Sequence, residues 1–478
     1  RHPAGHDGQG QHPGLDVEEL QQHALRKAHV HPRRIGLSKL ISTSNEVDLG
    51  LADFIDHLVD DPATSVIALY IESVRQPEKF RAACLKAARA GKPVVAFKIG
   101  RSEAGARAAV SHTGAMAGSD RMYDALFRQL GVIRVQHFSD LLDVPAALAT
   151  GRRLHGNRVA ILTSTGGAGT LVSDELGLAA FETPAPDAAT AATLRALNSG
   201  TEAVLDRNPI DVTLAGLRPD LLRGAIKTLL ASPTYDALTI IVGSSGLAQP
   251  ELMAGALQDC LPASDKPVFA YVSPHAPEVA RLLTQRGVPA YFAAESCAAA
   301  FNAMRHAREF RAPQDEPSSR TTAASVALPS GSLDEAQAKQ WFAQHGIPGV
   351  QERVVSTAEE AQAAASALGE RVVLKMLSSE ITHKSDVGGV AVGVRVEELP
   401  RRMQQMADAV QAATGAAPNR YLVQEMVSGG TELILGLHRD ALGTAILLGM
   451  GGVTAELFQD TCLRLLPAQG GLSREEAL

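Results

Sequence analysis

His112 lies in "AAVSHTGAMAGSD" (residues 108–120), flanked by Ser111, Thr113 and Gly114 in a stretch otherwise made mostly of Ala and Gly. No Cys or second His stands near it in sequence to suggest a metal. By residue type alone the ring is a helix cap, a polar turn residue or a nucleophile. A helix opens just downstream at Ser119 or Asp120, in "AGSDRMYDALFRQLG", and Ser is a good N-cap. The free N–H groups and about half a positive charge at such an N-terminus suit an anion. Upstream, "GRSEAGARAA" carries Gly100 and Gly105, and a loop of small residues lets backbone approach phosphate oxygens. A second turn, "AILTSTGGAGTLVSDELG", runs from a buried strand through Gly166, Gly167 and Gly169 into a helix. Alone it is a weak nucleotide signal, because the later acidic residue of the dinucleotide fingerprint is missing. Two helix N-termini facing one imidazole would stabilise a phosphoryl group on a histidine nitrogen. Such a covalent intermediate splits one hard transfer into two easier ones.

A different chemistry is written around Lys375, in "VVLKMLSSEITHKSDVGGV". A lysine on an apolar strand needs an anionic partner, because an unpaired buried ammonium is costly. A polar loop with His383 and paired glycines follows it, then "QEMVSGGTELILG" (424–436) and "GMGG". The carboxylates here, Glu425, Glu432 and Glu456, read equally well as ligand contacts or as exposed sheet-edge charges.

These residues need elements to hold them. "SKLIST" (38–43), "SVIALYI" (65–71), "PVVAFKI" (93–99) and "GVIRV" (131–135) read as buried strands, with amphipathic helices between them. Strand and helix in alternation predict a parallel sheet covered on both faces. "RVAILTST", "ALTIIVGS", "PVFAYVS" and "VPAYF" predict a second sheet of the same kind. Residues 311–331, rich in Pro, Ser and Thr, read as a linker. The third unit opens with "SLDEAQAKQWFAQHGIP", where Ser332 is the expected N-cap, Glu335 its capping-box partner and Gly346 the stop. "RVVLKM", "VAVGVRV", "YLVQEM", "ELILGLHR" and "TAILLGM" follow with glycines rather than helices between several of them, which predicts an antiparallel sheet.

The totals agree. A chain of 478 residues, 45% hydrophobic and 20% charged, calls for more than one core, and a formal charge of −7 without a basic run argues against nucleic acid. No apolar run approaches the ~18 residues of a membrane span. Cys84, Cys260, Cys297 and Cys462 are scattered without C-x-x-C pairing, which suits a cytoplasmic protein with reduced thiols. Residues 1–33 hold six of the fifteen histidines and no periodicity, so they read as disordered or as a mis-started segment, with no function assigned.

"GRSEAGARAAVSHTGAMAGSD", "LTSTGGAG", "NPIDVT" (208–213) and "ITHKSDVGGVAVGV" (381–394), in that order, resemble the NDP-forming acyl-CoA synthetases. These are relatives of succinyl-CoA synthetase, with ADP-forming acetate–CoA ligase the nearest named activity. The resemblance spans about residues 34–478. It implies an α/β fold: two flavodoxin-like doubly wound domains (34–150 and 151–310), the linker, and an α+β ATP-grasp domain (332–478). It implies the reaction acid + CoA + ATP to acyl-CoA + ADP + phosphate, by way of an acyl phosphate and a phosphohistidine. His112 would be that phosphohistidine, in a phosphate loop with Ser111, Thr113, Gly114 and the three glycines of the second turn. Glu72, otherwise a solvated strand end, would orient its imidazole; a carboxylate on one ring nitrogen fixes the tautomer and sharpens the other as nucleophile. His383 would take the phosphate first, near ATP, and relay it to His112, or else it merely hydrogen-bonds within its loop. Lys375 would contact the nucleotide phosphates, Gln424–Met426 the adenine, Glu425 or Glu432 the ribose or base edge, and Glu456 the triphosphate region.

The resemblance also implies magnesium, with ligands that cannot be assigned, and a CoA-binding opening domain that residues 1–33 are too short to supply. The ATP-grasp pattern stops before the family's magnesium-binding strand pair, so both ends are expected to be incomplete. A small carboxylic acid is the remaining substrate, and a homo-oligomer stays open by analogy. Two other readings compete: a ligand-sensing, non-catalytic module of a protein acetyltransferase, and an ATP-grasp ligase joining a carboxylate to an amine. The presence of His112 and His383 argues against the first; the "SHTG" stretch and second doubly wound unit argue against the other.

Overall fold

The computed structural model describes residues 35–43, 46–105, 107, 119–197, 204–212, 218–313, 331–379, 381, 384–427, 429–452 and 461–467. The chain divides into two compact units: Arg1–Ser318 with Ile434–Gly449 and Gln459–Leu478, and Ser319–Leu433 with Met450–Phe458.

In the first unit, β1 (Ile67–Ile71), β2 (Val94–Lys98) and β3 (Ile133–Arg134) form a parallel sheet in the order β1-β2-β3. Helices α1 (Leu51–Asp60), α2 (Pro77–Arg89) and α3 (Asp120–Leu130) cover one face. Their apolar stripes place Ile55, Phe80, Leu126 and Phe127 against Ile67, Leu69 and Ile71. Pro77 opens α2 where a missing N–H costs nothing, and Gly131 closes α3 in the left-handed conformation (φ 67°). "SKLIST", expected as a strand, forms none. Its polar residues are tied down by side chains instead: Ser38 Oγ meets Thr64 Oγ1 at 2.7 Å, and Lys39 pairs with Asp61 at 2.6 Å.

The second sheet holds β4 (Val159–Thr163), β5 (Ile210–Asp211), β6 (Ala237–Val242), β7 (Val268–Val272) and β8 (Ala290–Tyr291), all parallel, in the order β5-β4-β6-β7-β8. Counted along the chain this is 2-1-3-4-5, the flavodoxin order. β4, β6 and β7 are buried at every residue, which explains their unbroken apolar sequences. One face is covered by α6 (Ala188–Leu197), α7 (Pro219–Ala231), α8 (Pro250–Cys260) and α9 (Pro277–Gln285). The other is covered by α5 (Gly166–Leu178) and α10 (Ala294–Glu309), with α4 (Asp140–Leu148) beside them. Helices α4 and α10 also serve the first sheet. Val144 and Ala303 pack on Val95 and Ile133, while Ala147, Phe301 and Met304 belong to the second core. This shared layer is why the two sheets form one unit.

The second unit is built on an antiparallel sheet of β9 (Glu352–Val355), β10 (Arg371–Met376), β11 (Val390–Arg395) and β12 (Tyr421–Glu425), in the order β11-β10-β12-β9. Val372, Leu374, Met376 and Val423 face α12 (Ala358–Leu368) and α13 (Leu399–Thr414), α11 being the helix Glu335–Gln344. On the opposite face, Ala336 of α11 packs on Leu377 and Leu422. The cap of α11 differs from expectation. "SLDEAQ" contains both S-x-x-E and D-x-x-Q, and the second is used: Asp334 accepts from Gln337 N at 2.9 Å, and Gln337 Oε1 accepts from Asp334 N at 3.0 Å. Asp334 is buried beside the helix end, and its carboxylate caps it, whereas Ser332 lies two residues further upstream. Glu335 thereby becomes the first helical residue, with its carboxylate released toward the sheet.

A third sheet is formed by β13 (Leu433–Asp440), β14 (Gly443–Met450) and β15 (Thr461–Leu465). By contact, residues 434–449 and 459–478 group with the first unit. Leu442, Ala445 and Leu465 are buried in the α2–α3 core, and Gln129 exchanges two hydrogen bonds with the Leu465 backbone, at 2.8 and 3.1 Å.

Candidate active site

His112, Ser111, Thr113, Gly114, His383 and Glu456 lie outside the described residues, as do most of the 311–331 linker and all of residues 1–33. The frame from which the "SHTG" stretch departs is described. β1 and β2 end side by side, with Ile99 N donating to Ile71 O at 3.1 Å, so Glu72 and Lys98 stand at adjacent strand ends. This is the carboxyl edge of the parallel sheet, where open α/β sheets place ligands. Glu72 is half-buried there. Lys98 is 1% exposed, donates to the Ile99 carbonyl, and has its ammonium 4.5 Å from the Tyr123 ring centre. Among the described residues no carboxylate lies within ion-pair distance of it. Burial pushes its ammonium below the ordinary lysine value, opposed by the charges of Asp120 and Glu72. Asp120, first residue of α3, is itself held by Arg134 at 2.7 Å. Lys98 carries the same sequence signal as Lys375, a lysine on an apolar strand that needs an anionic partner, in "PVVAFKI".

The glycine turn after β4 lies between β4 and β6, the topological switch point of the second sheet. Thr163 Oγ1 accepts from Thr165 N at 2.8 Å and closes the turn, so that α5 starts at Gly166. Gly166 and Gly167 are exposed, whereas Gly169 is buried, and a Cβ there would stand 3.1 Å from the Pro209 ring. The "NPIDVT" motif is structural here: Asn208 accepts from Ile161 N at 3.0 Å and donates to Val159 O at 2.8 Å, extending the edge of β4.

In the second unit, Lys375 and Gln424 come together on the face of the sheet beneath α11. The anionic partner predicted for Lys375 is Glu335, at 2.7 Å. Glu335 Oε1 also accepts from Lys339 at 2.9 Å and Gln424 at 3.0 Å, and its other oxygen from Lys384 at 3.3 Å. Glu352 accepts from Lys339 at 2.8 Å and Gln424 at 2.7 Å. Burial alone would push the Glu335 carboxyl up, but the hydrogen bonds and charges of Lys375 and Lys339 hold it down at about 2. Glu425 is engaged elsewhere, accepting from Gln351 N at 2.7 Å, while Met426 is exposed. Glu432 lies against the "GMGG" glycines: its carbonyl accepts from Gly451 N at 2.8 Å, and its carboxylate reaches Gly452. Among the described residues no cluster of His, Cys, Asp and Glu is arranged to hold a metal ion, and no helix is long and apolar enough to cross a membrane.

Gly389 closes the loop that brings Lys384 to Glu335. Its N–H donates to Lys384 O at 2.7 Å and its carbonyl accepts from Met376 N at 2.8 Å. A Cβ would stand 2.6 Å from Met376 Sδ and 2.9 Å from Lys384 O. Gly389→Ala is therefore expected to destabilise the second unit by about 1–3 kcal/mol, the usual cost of overpacking, read as a lower thermal midpoint. An unchanged midpoint would mean that the loop backbone yields freely.

A flavodoxin-order sheet, a companion parallel sheet and an antiparallel sheet carrying a partly buried lysine define a succinyl-CoA synthetase-like protein with an ATP-grasp domain. Residues 23–148 match the family described as succinyl-CoA ligase like flavodoxin domain, and residues 326–477 match the ATP-grasp domain family. The chain belongs to the NDP-forming acyl-CoA synthetases, the family of the ADP-forming acetate–CoA ligases. It is 32% identical over 465 residues to acetate–CoA ligase [ADP-forming] I of Archaeoglobus fulgidus, covering 93% of this chain and 64% of the relative. It is 30% identical over 459 residues to trans-feruloyl-CoA synthase from an unknown prokaryotic organism, covering 92% and 63%. The solved acetyl-coenzyme A synthetase 1 of Ca. Korarchaeum cryptofilum, in complex with phosphate and ADP, superposes with a TM-score of 0.53 at 29% identity, over 60% of this chain and 62% of that one. The chain thus spans slightly under two thirds of the length of these relatives. By sequence β13–β15 fall within the ATP-grasp match, although by packing they group with the first unit.

Proposed function

We propose that the chain serves an ADP-forming acid–CoA ligase, acid + CoA + ATP to acyl-CoA + ADP + phosphate, with His112 as phosphoryl carrier. The observation that carries this reading is the Glu72–Lys98 pair of strand ends from which the "SHTG" stretch departs. A carboxylate there orients one imidazole nitrogen, and a buried ammonium offsets charge on a phosphoryl group held by the other. In the ligase direction a histidine nitrogen bonds to the γ-phosphorus of ATP as its bond to the ADP oxygen breaks. The acid's carboxylate oxygen then takes the phosphoryl group, giving an acyl phosphate. The CoA thiolate attacks the acyl carbon and phosphate leaves. Lys375 and Gln424 would face the nucleotide, with magnesium carried on its phosphates to neutralise charge there. Glu425, Met426 and Glu432 would line its base and ribose side, Glu456 would stand near its triphosphate, and the exposed Gly166–Gly167 turn would offer backbone N–H groups to the phosphohistidine. His383 would relay the phosphoryl group to His112. CoA and a small carboxylic acid are the other ligands, in a cytoplasmic protein. The names of the relatives reported above are those of ligases and synthases, which favours an enzyme over a sensing module.

Incubation with γ-labelled ATP and magnesium tests this directly. The native chain is expected to take up acid-labile, base-stable label, as a phosphoramidate does. His112→Ala should trap that label on His383, and His383→Ala should abolish it. Label lost in His112→Ala but kept in His383→Ala would retain the nucleophile and sink the relay. No label on any version would sink the reading for this chain.

A further inference from the structure

We propose that Glu335 is a positioning residue for Lys375, holding its ammonium in place for a nucleotide phosphate; this rests on the nucleotide reading of that face given above. Lysine is a compact charge on a flexible four-carbon stem, so something must fix where the charge stands. Glu335 is fixed twice over. It is the first residue of α11, directly after the buried Asp334 cap, and the next residue, Ala336, is packed on Leu377 and Leu422. From there its Oε1 accepts from Lys375 at 2.7 Å, Lys339 at 2.9 Å and Gln424 at 3.0 Å. Lys339 and Gln424 have a second carboxylate in Glu352, at 2.8 and 2.7 Å. Lys375 has Glu335 as its ion-pair partner among the described residues. Removing Glu335 would therefore leave Lys375 facing Lys339 and Lys384 without its own counter-charge. Three ammonium groups meet two carboxylates in this group, and the excess of positive charge suits a polyanion. A strand lysine paired with a glutamate on a helix lying across it is also how protein kinases ready their phosphate-binding lysine. Here the same physics ties the seating of α11 to the readiness of Lys375.

Equilibrium binding of magnesium–ADP to the full chain tests the proposal, using Glu335→Gln, Glu335→Asp, Lys375→Met and the double variant Glu335→Gln/Lys375→Met. Lys375→Met and Glu335→Gln are each expected to weaken binding about 10-fold, and the double variant to bind no more weakly than Lys375→Met alone. Glu335→Asp, with charge kept but reach shortened, should recover part of the loss. Trp341, the only tryptophan in the chain, lies on α11, so an unchanged emission spectrum in each variant reports that the helix remains seated. Equal losses from Glu335→Gln with and without Lys375 would assign Glu335 a merely structural role and overturn the proposal. Tighter binding in Glu335→Gln would overturn it too, by making the carboxylate a competitor of phosphate. Should Glu335→Gln fail to fold, Glu335→Asp in the native and Lys375→Met backgrounds makes the same comparison. A Lys375→Met chain that binds as tightly as the native one would sink the nucleotide reading itself, a result distinct from additive losses.

Discussion

Lys98→Met is expected to make the doubly wound unit more stable at pH 7, by about 1–3 kcal/mol, because it removes a buried charge and keeps its volume. The lysine is 1% exposed, and its hydrogen-bond partner among the described residues is a neutral carbonyl. The attraction of the Tyr123 face returns only part of the lost hydration. Methionine would fill the same channel and place its sulfur against that ring. The pH dependence has a definite sign. Burial lowers the folded-state pKa of Lys98 below its unfolded value, so between those two values the unfolded chain binds more protons. Stability of the native protein must therefore rise with pH through that alkaline window, and the advantage of Lys98→Met must shrink. Denaturant midpoints at pH 7 and in the alkaline range, for both proteins, check both statements. A variant less stable than the native chain at pH 7 would show that the ammonium has an anionic partner, and the strand-end cation would then be structural. A variant more stable yet unable to take up phosphate label would instead mark Lys98 as stability given up for function.

The same lysine shows what the sequence does and does not disclose. The central strands of the second sheet were legible because β4, β6 and β7 are buried on both faces, and an unbroken apolar run has little else to be. β9 was not, because it lies at the sheet's edge and its Glu352-Arg353 half carries charge. β5 is two residues long, too short for any pattern. "SKLIST" carries enough apolar residues to suggest a strand, but its polar positions find partners on the loop between α1 and β1. At the site, the cost of an unpaired buried charge correctly demanded an anion for Lys375. That anion is 40 residues away in sequence, on a helix whose N-cap lies two residues beyond the expected Ser332. Charge logic names the need for a partner; only the fold names the partner.

Phe301→Ala should be the most damaging single core truncation in the first unit, at about 3–5 kcal/mol. The ring is wholly buried on α10 and stacks on Phe269 with centroids 4.4 Å apart, while Phe181 approaches at 5.8 Å. Phe269 in turn meets Tyr291 edge-on at 5.5 Å, so one removal loosens a chain of four rings. Its helix neighbours cannot collapse into the space, since Ala298, Ala300 and Ala303 carry only methyl groups. The cavity therefore persists, and the loss exceeds the transfer free energy of the ring. Because α10 also supplies Ala303 to the core of the first sheet, the damage should spread across the shared layer rather than stay beneath β7. Denaturant unfolding should show a lowered midpoint with little change in slope, and hydrogen exchange should quicken in β2 and β3 as well as in β7. Phe342→Ala, at a position 44% exposed, serves as the comparison and should move the midpoint far less. Faster exchange confined to β7 would mean that α10 carries two independent cores, and the shared layer would be a matter of proximity alone.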